Sequence, residues 1–152
     1  MNRDGQAQQA AIQNRLRELF EQQFELFRKC LDVLEKQQTV IESANWENIL
    51  TYTEIEEQIT AEIFSIQKVI DPLENSYHAD SEEAAICALK AAIENLKNRT
   101  AAQSRHNISL LADRISDTRV KMEVLKSSSL AIGVRRPLFQ DAGAASLVDI
   151  EG

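Results

Sequence analysis

The chain has 152 residues, of which 43% are hydrophobic and 27% are charged, and this composition excludes intrinsic disorder over its whole length. No glycine occurs between Gln6 and Ile132, and the one proline of that stretch is Pro72. The stretch therefore excludes a glycine-rich phosphate loop, a nucleophile elbow and tight β-hairpins, and it predicts long helices joined by short turns.

The net charge of −7 is divided unevenly along the chain. Residues 1–96 carry 8 Lys and Arg against 18 Asp and Glu, whereas residues 97–136 carry 9 against 3. Because no aromatic residue lies among the cations of the second segment, a solvated helix face or a site for an acidic protein is favoured over nucleic-acid binding. The chain begins without an apolar secretory segment and has no membrane-length apolar run, so we expect a cytoplasmic protein without membrane insertion.

The first predicted helix runs from about Gln6 to Glu42. Its apolar residues recur at spacings of three and four, which indicates one buried stripe. Phe20, Phe24 and Phe27 form the densest part of this stripe, and we interpret them as structural core. Cys30 in this helix and Cys87 further along are expected to be two buried thiols without a disulfide.

A turn at residues 43–45 separates the first helix from the second, and Ser43 or Asn45 is available as an N-cap. The second helix is predicted from Trp46 to about Ile70, with a near-heptad stripe made mostly of isoleucines. Pro72 is expected to stop it, because proline disfavours a helical conformation at the preceding residue.

After a polar linker, Asp80 and Glu83 are predicted to form a capping box for a third helix that continues to about Lys126. Residues 97–107 are nearly all polar, so a break there, with the last part folding back as a fourth helix, is the competing geometry. The pattern is lost from Ser127 onwards. The sequence thus predicts an all-α, elongated antiparallel bundle of three long helices over residues 1–126, followed by an irregular, partly apolar tail over 127–152.

The three predicted helices differ in length, at about 55, 38 and 70 Å for a rise of about 1.5 Å per residue. In an antiparallel arrangement the third helix comes level with the first turn near Asn107. The apolar stripe from Ile108 to Lys126 is then left uncovered, and the C-terminal tail, a second chain or a partner protein would have to cover it.

Residues for catalysis or metal binding are scarce. His78 and His106 lack the spacing of a di-iron motif, and two histidines with two cysteines are too few for a zinc site. Both histidines are expected to face solvent. We expect no catalytic residue, no metal and no cofactor, and hence no enzyme.

The order of these segments resembles the FlgN-type flagellar export chaperones. The resemblance rests on the leading amphipathic helix, on residues 34–41, on the Asn-Trp-Glu-Asn-Ile-Leu turn at 45–50 and on the second helix. Further on, Asn107 with Leu110 and Leu111 is similar to the Asn-containing start of that family's last helical stripe. The similarity covers roughly Phe20 to Lys126.

The resemblance implies a cytoplasmic type III export chaperone. Such a protein binds the C-terminal amphipathic helix of flagellar hook–filament junction proteins, prevents their premature assembly and brings them to the export apparatus. The partner-binding residues implied for this chain are Asn107, Leu110, Leu111, Ile115, Met122, Leu125 and Phe139. Family members often carry a tyrosine after the last helix that contacts the export gate, and Phe139 is the candidate substitute here. They also often carry a lysine where this chain has Glu56 and Glu57.

Two alternative functions stay open at this point. The same stripe would serve a homodimeric coiled-coil adaptor without a chaperone role, or the basic segment would bind nucleic acid. Within the chaperone interpretation, the tail residues Leu138, Phe139 and Leu147 would have a regulatory use if they occupy the stripe until a substrate displaces them.

Overall fold

The structure, a computed structural model, describes residues 3–77 and 83–134. They form three helices: α1 is Arg3–Glu42, α2 is Trp46–Ser76 and α3 is Ala84–Val134. Neither described range contains a strand, which confirms the all-α fold with three long helices. Since α3 runs without interruption through residues 97–107, the four-helix alternative does not form.

The chain divides into two compact units, Met1–Leu111 and Ala112–Gly152, and α3 belongs to both. The predicted boundary at Lys126 is wrong for the helix, which continues to Val134. Three consecutive serines do not stop it, because serine costs only about 0.5 kcal/mol relative to alanine inside a helix. The predicted tail beyond Val134, including Phe139, lies outside the described residues.

In the first unit, hydrogen bonds between side chains define how the helices run. The Gln23 amide donates to Gln67 Oε1 at 2.7 Å, and later in α1 the Gln37 amide donates to Thr53 Oγ1 at 3.1 Å. Later residues of α1 thus meet earlier residues of α2. The two helices are antiparallel, as predicted.

Contacts between α1 and α3 run in the opposite sense. Arg17 lies 2.7 Å from Glu83, just before α3 begins, and Gln103 donates to Gln38 Oε1 at 2.7 Å. These pairs advance together along both helices, so α1 and α3 are parallel. Asn107 contacts Leu34 and Gln37, so at this position α3 lies beside the last turns of α1.

The hydrophobic core of the first unit takes residues from all three helices. Phe20 is buried, and Phe24 and Phe27 are half-buried against the core, which confirms their structural interpretation. Burying a large aliphatic side chain stabilises the fold by about 1.5–3 kcal/mol, so this cluster holds the helices together. Its buried members are Leu16, Leu19, Phe20, Ile70, Ile86 and Ile93.

The turn between α1 and α2 places a non-glycine residue in the left-handed region. Ala44 has φ 54°, its N–H donates to the Ile41 carbonyl, and the Asn45 N–H donates to the Val40 carbonyl. This pair of bonds is a Schellman C-cap. The Asn45 side chain then accepts from the Asn48 N–H at 3.3 Å, so Asn45 rather than Ser43 caps α2.

The end of α2 differs from the prediction, because Pro72 lies inside the helix and the helix continues to Ser76. An interior proline costs about 3 kcal/mol through a lost hydrogen bond and a steric clash. Leu73 and Tyr77, which follow it, pack against the core cluster. Their burial offsets that cost and keeps the chain helical beyond Pro72.

Two further predictions near the start of α3 need correction. Glu83 immediately precedes the helix, so it is not the third helical residue of a capping box; its carboxylate instead accepts hydrogen bonds from Arg17 and Gln13. Cys87 is exposed, since its neighbour Ile86 takes the buried position on the helix, whereas Cys30 is buried as predicted. His106 is exposed as predicted, and His78 and Asp80 lie outside the described residues.

Candidate docking surfaces

A buried polar layer joins the three helices of the first unit near the end of α1. Asn107 is 2% exposed and donates to the Leu34 carbonyl oxygen at 2.8 Å and to Gln37 Oε1 at 2.9 Å. Its own Oδ1 accepts from Gln103 Nε2 at 2.9 Å. Both amide hydrogens and one acceptor site of Asn107 are therefore used within the unit, and the residue fixes α3 against α1.

The layer extends to α2 through Gln37, which is also buried and donates to Thr53. Glu56 lies one turn after Thr53 on α2, and Gln37 of the polar layer influences the pKa of its carboxyl. Partial burial raises the pKa of the Glu56 carboxyl, a hydrogen bond from Gln37 lowers it, and the neighbouring Glu57 charge raises it again. The net effect on the pKa is upward, because desolvation penalises the charged form.

Beside this layer lies a cleft of about 680 Å³. Its lining mixes apolar side chains with charged and hydroxyl groups, and these point to no single chemistry. On α2 the ring of Phe64 at the cleft is largely exposed. Residues that line the cleft include Phe27, Leu34, Ile63, Phe64, Ile93 and Lys97.

Cys30 lines the same cleft but does not have the properties of a nucleophile. Burial, followed by the nearby Glu56 charge, raises the pKa of its thiol to about 11. A thiol with this pKa is almost entirely protonated at neutral pH, and the thiolate is the reactive form. Cys30 is therefore not suited to act as a nucleophile in the cleft.

The second unit presents apolar side chains to solvent. Within residues 112–130, six large apolar side chains have exposed fractions between 40% and 69%. A run of this kind on one helix is typical of a surface that packs against another protein. The six residues are Ile115, Val120, Met122, Val124, Leu125 and Leu130.

Three of these residues lie on one face of α3. Ile115, Met122 and Leu125 follow heptad spacing, and Thr118 occupies the remaining position of the seam. The Thr118 hydroxyl donates to the Arg114 carbonyl oxygen at 2.9 Å, so it needs no partner for its hydrogen. We call Ile115, Thr118, Met122 and Leu125 the α3 seam.

The predicted partner-binding residues fall into three groups. Asn107 is buried in the polar layer, and Leu110 and Leu111 are half-buried in the first unit. Ile115, Met122 and Leu125 are exposed in the second unit, as an uncovered stripe requires. Phe139 lies outside the described residues.

Neither the cleft nor the polar layer was predicted from the sequence. Gln23 and Gln37 continue the 3,4 spacing of the buried α1 stripe, and two polar residues at core positions were the available signal for internal hydrogen bonding. The cleft had no such signal, since it depends on how far apart the helix faces lie.

The described residues offer neither a membrane-spanning helix nor a metal site. None of the helices there is long and apolar enough to cross a membrane. Residues 3–77 and 83–134 contain no group of His, Cys, Asp or Glu side chains arranged to hold a metal ion. The α3 seam and the cleft are thus the two candidate docking surfaces.

The chain is similar in sequence to a protein of Treponema pallidum. An uncharacterized protein of Treponema pallidum (strain Nichols) is 28% identical over 123 residues, which cover 80% of each chain. No family model matches the chain. No solved structure matches it.

Proposed function

We propose that the protein is a cytoplasmic helix-binding chaperone of the type III export class. In this role it binds the C-terminal amphipathic helix of flagellar hook–filament junction proteins, keeps them unassembled and delivers them to the export apparatus. The resemblance to FlgN-type chaperones over roughly Phe20 to Lys126 suggests the substrate. The exposed α3 seam is the observation that carries the proposal.

The seam suits this role because it presents apolar side chains at a spacing that another helix can match. Amphipathic helices bind through anchors three, four and seven residues apart, and Ile115, Met122 and Leu125 supply them. Binding would transfer these side chains from water to an apolar contact. This transfer would stabilise the complex by about 25 cal/mol for each Å² of apolar surface that is buried. None of the three is buried in the core of the first unit, so the seam can bind without unfolding it.

A peptide copied from the C-terminal helix of a junction protein tests the proposal. Met122→Asp should abolish capture of the peptide, because a carboxylate in an apolar contact is strongly unfavourable. Val120→Asp is the matched control: Val120 is similarly exposed, and at 100° per residue it lies about 160° around the helix from Met122. Both variants should keep the helical circular dichroism spectrum. Equal capture by the two variants would contradict the seam as the binding site.

A variant of the cleft tests whether the peptide binds at the seam or at the cleft. Phe64 lies at the cleft and is largely exposed, so Phe64→Asp should leave the fold intact and affect only binding at the cleft. We expect it to capture the peptide like the wild-type protein. Loss of capture in Phe64→Asp with retention in Met122→Asp would move the site from the seam to the cleft.

The alternative of a homodimeric coiled-coil adaptor uses the same seam for a second copy of the chain. Sedimentation over a concentration series distinguishes the chaperone from the homodimeric adaptor. The chaperone proposal expects a monomer at low micromolar concentration that forms a complex with the peptide, whereas a dimer that persists at this concentration and is lost in Met122→Asp supports the adaptor.

A further inference from the structure

We infer that the α3 seam selects a partner helix whose apolar face is flanked by acidic residues. This inference rests on the proposed function, since it gives the chemistry of the helix that the seam binds. The observation behind the inference is the charge of the residues beside the seam, which is independent of the exposure of the seam residues themselves.

The positions beside the seam are fixed by its heptad register. With Ile115 and Met122 at position a and Thr118 and Leu125 at position d, the flanking rows are e and g. Between residues 112 and 128, each charged residue in these two rows is a cation. These cations are Arg114 and Lys121 at g, and Arg119 and Lys126 at e.

The carboxylates of this part of α3 lie outside the flanking rows. Asp117 at position c and Glu123 at position b are next to the g and e rows on the side away from the seam, and Asp113 at position f lies opposite the seam. None of the ion pairs within residues 3–77 and 83–134 involves one of the four cations. The two basic rows are therefore available to an incoming helix.

Charges in the e and g rows decide which helices pair in a coiled coil. Because both rows are basic, acidic flanks on a partner would be attracted in either a parallel or an antiparallel orientation. A second copy of the seam would bring cations against cations, which disfavours the homodimer. Exposed apolar side chains between the rows favour a helix over a nucleic acid, whose phosphates would leave them in water.

Two synthetic helices of three heptads test the inference. Both carry leucine at a and d; one carries glutamate at e and g, and the other lysine. Like charges keep each peptide from pairing with itself, so both are available for binding. Fluorescence anisotropy with the full chain should give the glutamate peptide an affinity about tenfold higher or more, since several exposed ion pairs of modest strength act together. Raising the salt concentration from about 50 mM to about 500 mM should reduce the difference in affinity between the two peptides, because salt screens the charges.

Charge reversal in the protein supplies the matched test. Arg119→Glu with Lys126→Glu should reverse or remove the preference, and both residues are exposed, so the fold should persist. Lys29→Glu with Lys68→Glu changes the net charge equally at exposed sites outside α3 and should keep the preference. Circular dichroism should be the same for both pairs.

The outcomes separate the inference from the proposed function. Equal affinity for the two peptides, with both lost in Met122→Asp, would contradict acidic selection while leaving the seam as a docking surface. Binding of neither peptide, together with failure to bind the junction-protein helix, would overturn both. Tighter binding of a single-stranded RNA of equal charge than of the glutamate peptide would also contradict the inference, in favour of a nucleic-acid site.

Discussion

The side-chain amide of Asn107 donates a hydrogen bond to the backbone carbonyl oxygen of Leu34 at 2.8 Å, with both groups inside the first unit. The family resemblance implied a partner-binding role for Asn107. Its position instead gives it an internal role, because it links α3 to the last turns of α1. Stability, rather than partner affinity, should therefore respond most strongly to its substitution.

We expect Asn107→Ala to lower the free energy of unfolding by about 1–3 kcal/mol, because the buried amide of Gln37 loses a partner. Asn98→Ala on the same helix is the control: Asn98 is exposed, and a change there should stay within about 0.5 kcal/mol. Urea denaturation followed by circular dichroism measures both. Equal stability of the two variants would show that the Asn107 hydrogen bonds contribute nothing net.

Ala44 holds the left-handed conformation that closes α1, with φ 54°. This conformation costs a residue with a side chain about 1–2 kcal/mol, and glycine avoids most of it. Ala44→Gly should raise the free energy of unfolding by about 0.5–1 kcal/mol, after the greater chain entropy of glycine in the unfolded state is subtracted. Ala91→Gly, at an exposed interior position of α3, should have the opposite sign and cost about 1 kcal/mol.

The two cysteines should differ in reactivity, although the sequence alone predicted both to be buried. Cys87 is exposed, whereas Cys30 is buried and its thiol pKa is raised to about 11. A maleimide at neutral pH should label one thiol in the native protein and two in denaturant. Cys87→Ser should abolish native labelling, and Cys30→Ser should leave it unchanged. Native labelling in Cys87→Ser would show that the core around Cys30 opens.

The contact of Glu83 with Arg17 should make stability depend on pH. Hydrogen bonds from Arg17 and Gln13 lower the pKa of the Glu83 carboxyl in the folded protein. The stabilisation is therefore fully present above the unfolded value of about 4.3 and is lost as pH falls through the lower folded value. Glu83→Gln should reduce stability at pH 7, and the difference from wild type should vanish in strongly acidic solution.

Glu62→Gln is the control for that comparison, because Glu62 is exposed and takes part in none of the ion pairs of the described residues. Its stability should follow that of the wild-type protein at both pH values. A Glu83→Gln variant whose stability difference is the same at neutral and acidic pH would indicate a packing effect instead of a charge effect.

Helix periodicity was sufficient to predict the three helices and the core, because single apolar stripes in α1 and α2 specify which faces meet. The rule that proline ends a helix failed at Pro72, because the burial of Leu73 and Tyr77 outweighs the local preference for a helix end. The expectation that a free cysteine is buried failed at Cys87, which shares its helix with the buried stripe but lies on another face. In both places the outcome depends on tertiary packing.

The candidate site was predicted in part. The helix lengths predicted an uncovered apolar stripe from Ile108 to Lys126, the resemblance implied Ile115, Met122 and Leu125 within it, and these three side chains are exposed. The resemblance alone gave Asn107, and it could not show that Gln37 and Gln103 on two helices would enclose its amide. A local sequence pattern cannot predict contacts between residues about 70 positions apart, such as Asn107 and Gln37.

Fluorescence at single positions of α3 tests the central claim most directly. In a Cys87→Ser background, Met122→Cys and Val120→Cys would each carry an environment-sensitive dye and be titrated with the junction-protein C-terminal helix. We predict a saturable blue shift at position 122 and none at position 120, because only the first lies on the seam. Equal shifts at both positions, or binding of the helix without a shift at position 122, would contradict the α3 seam as the docking surface.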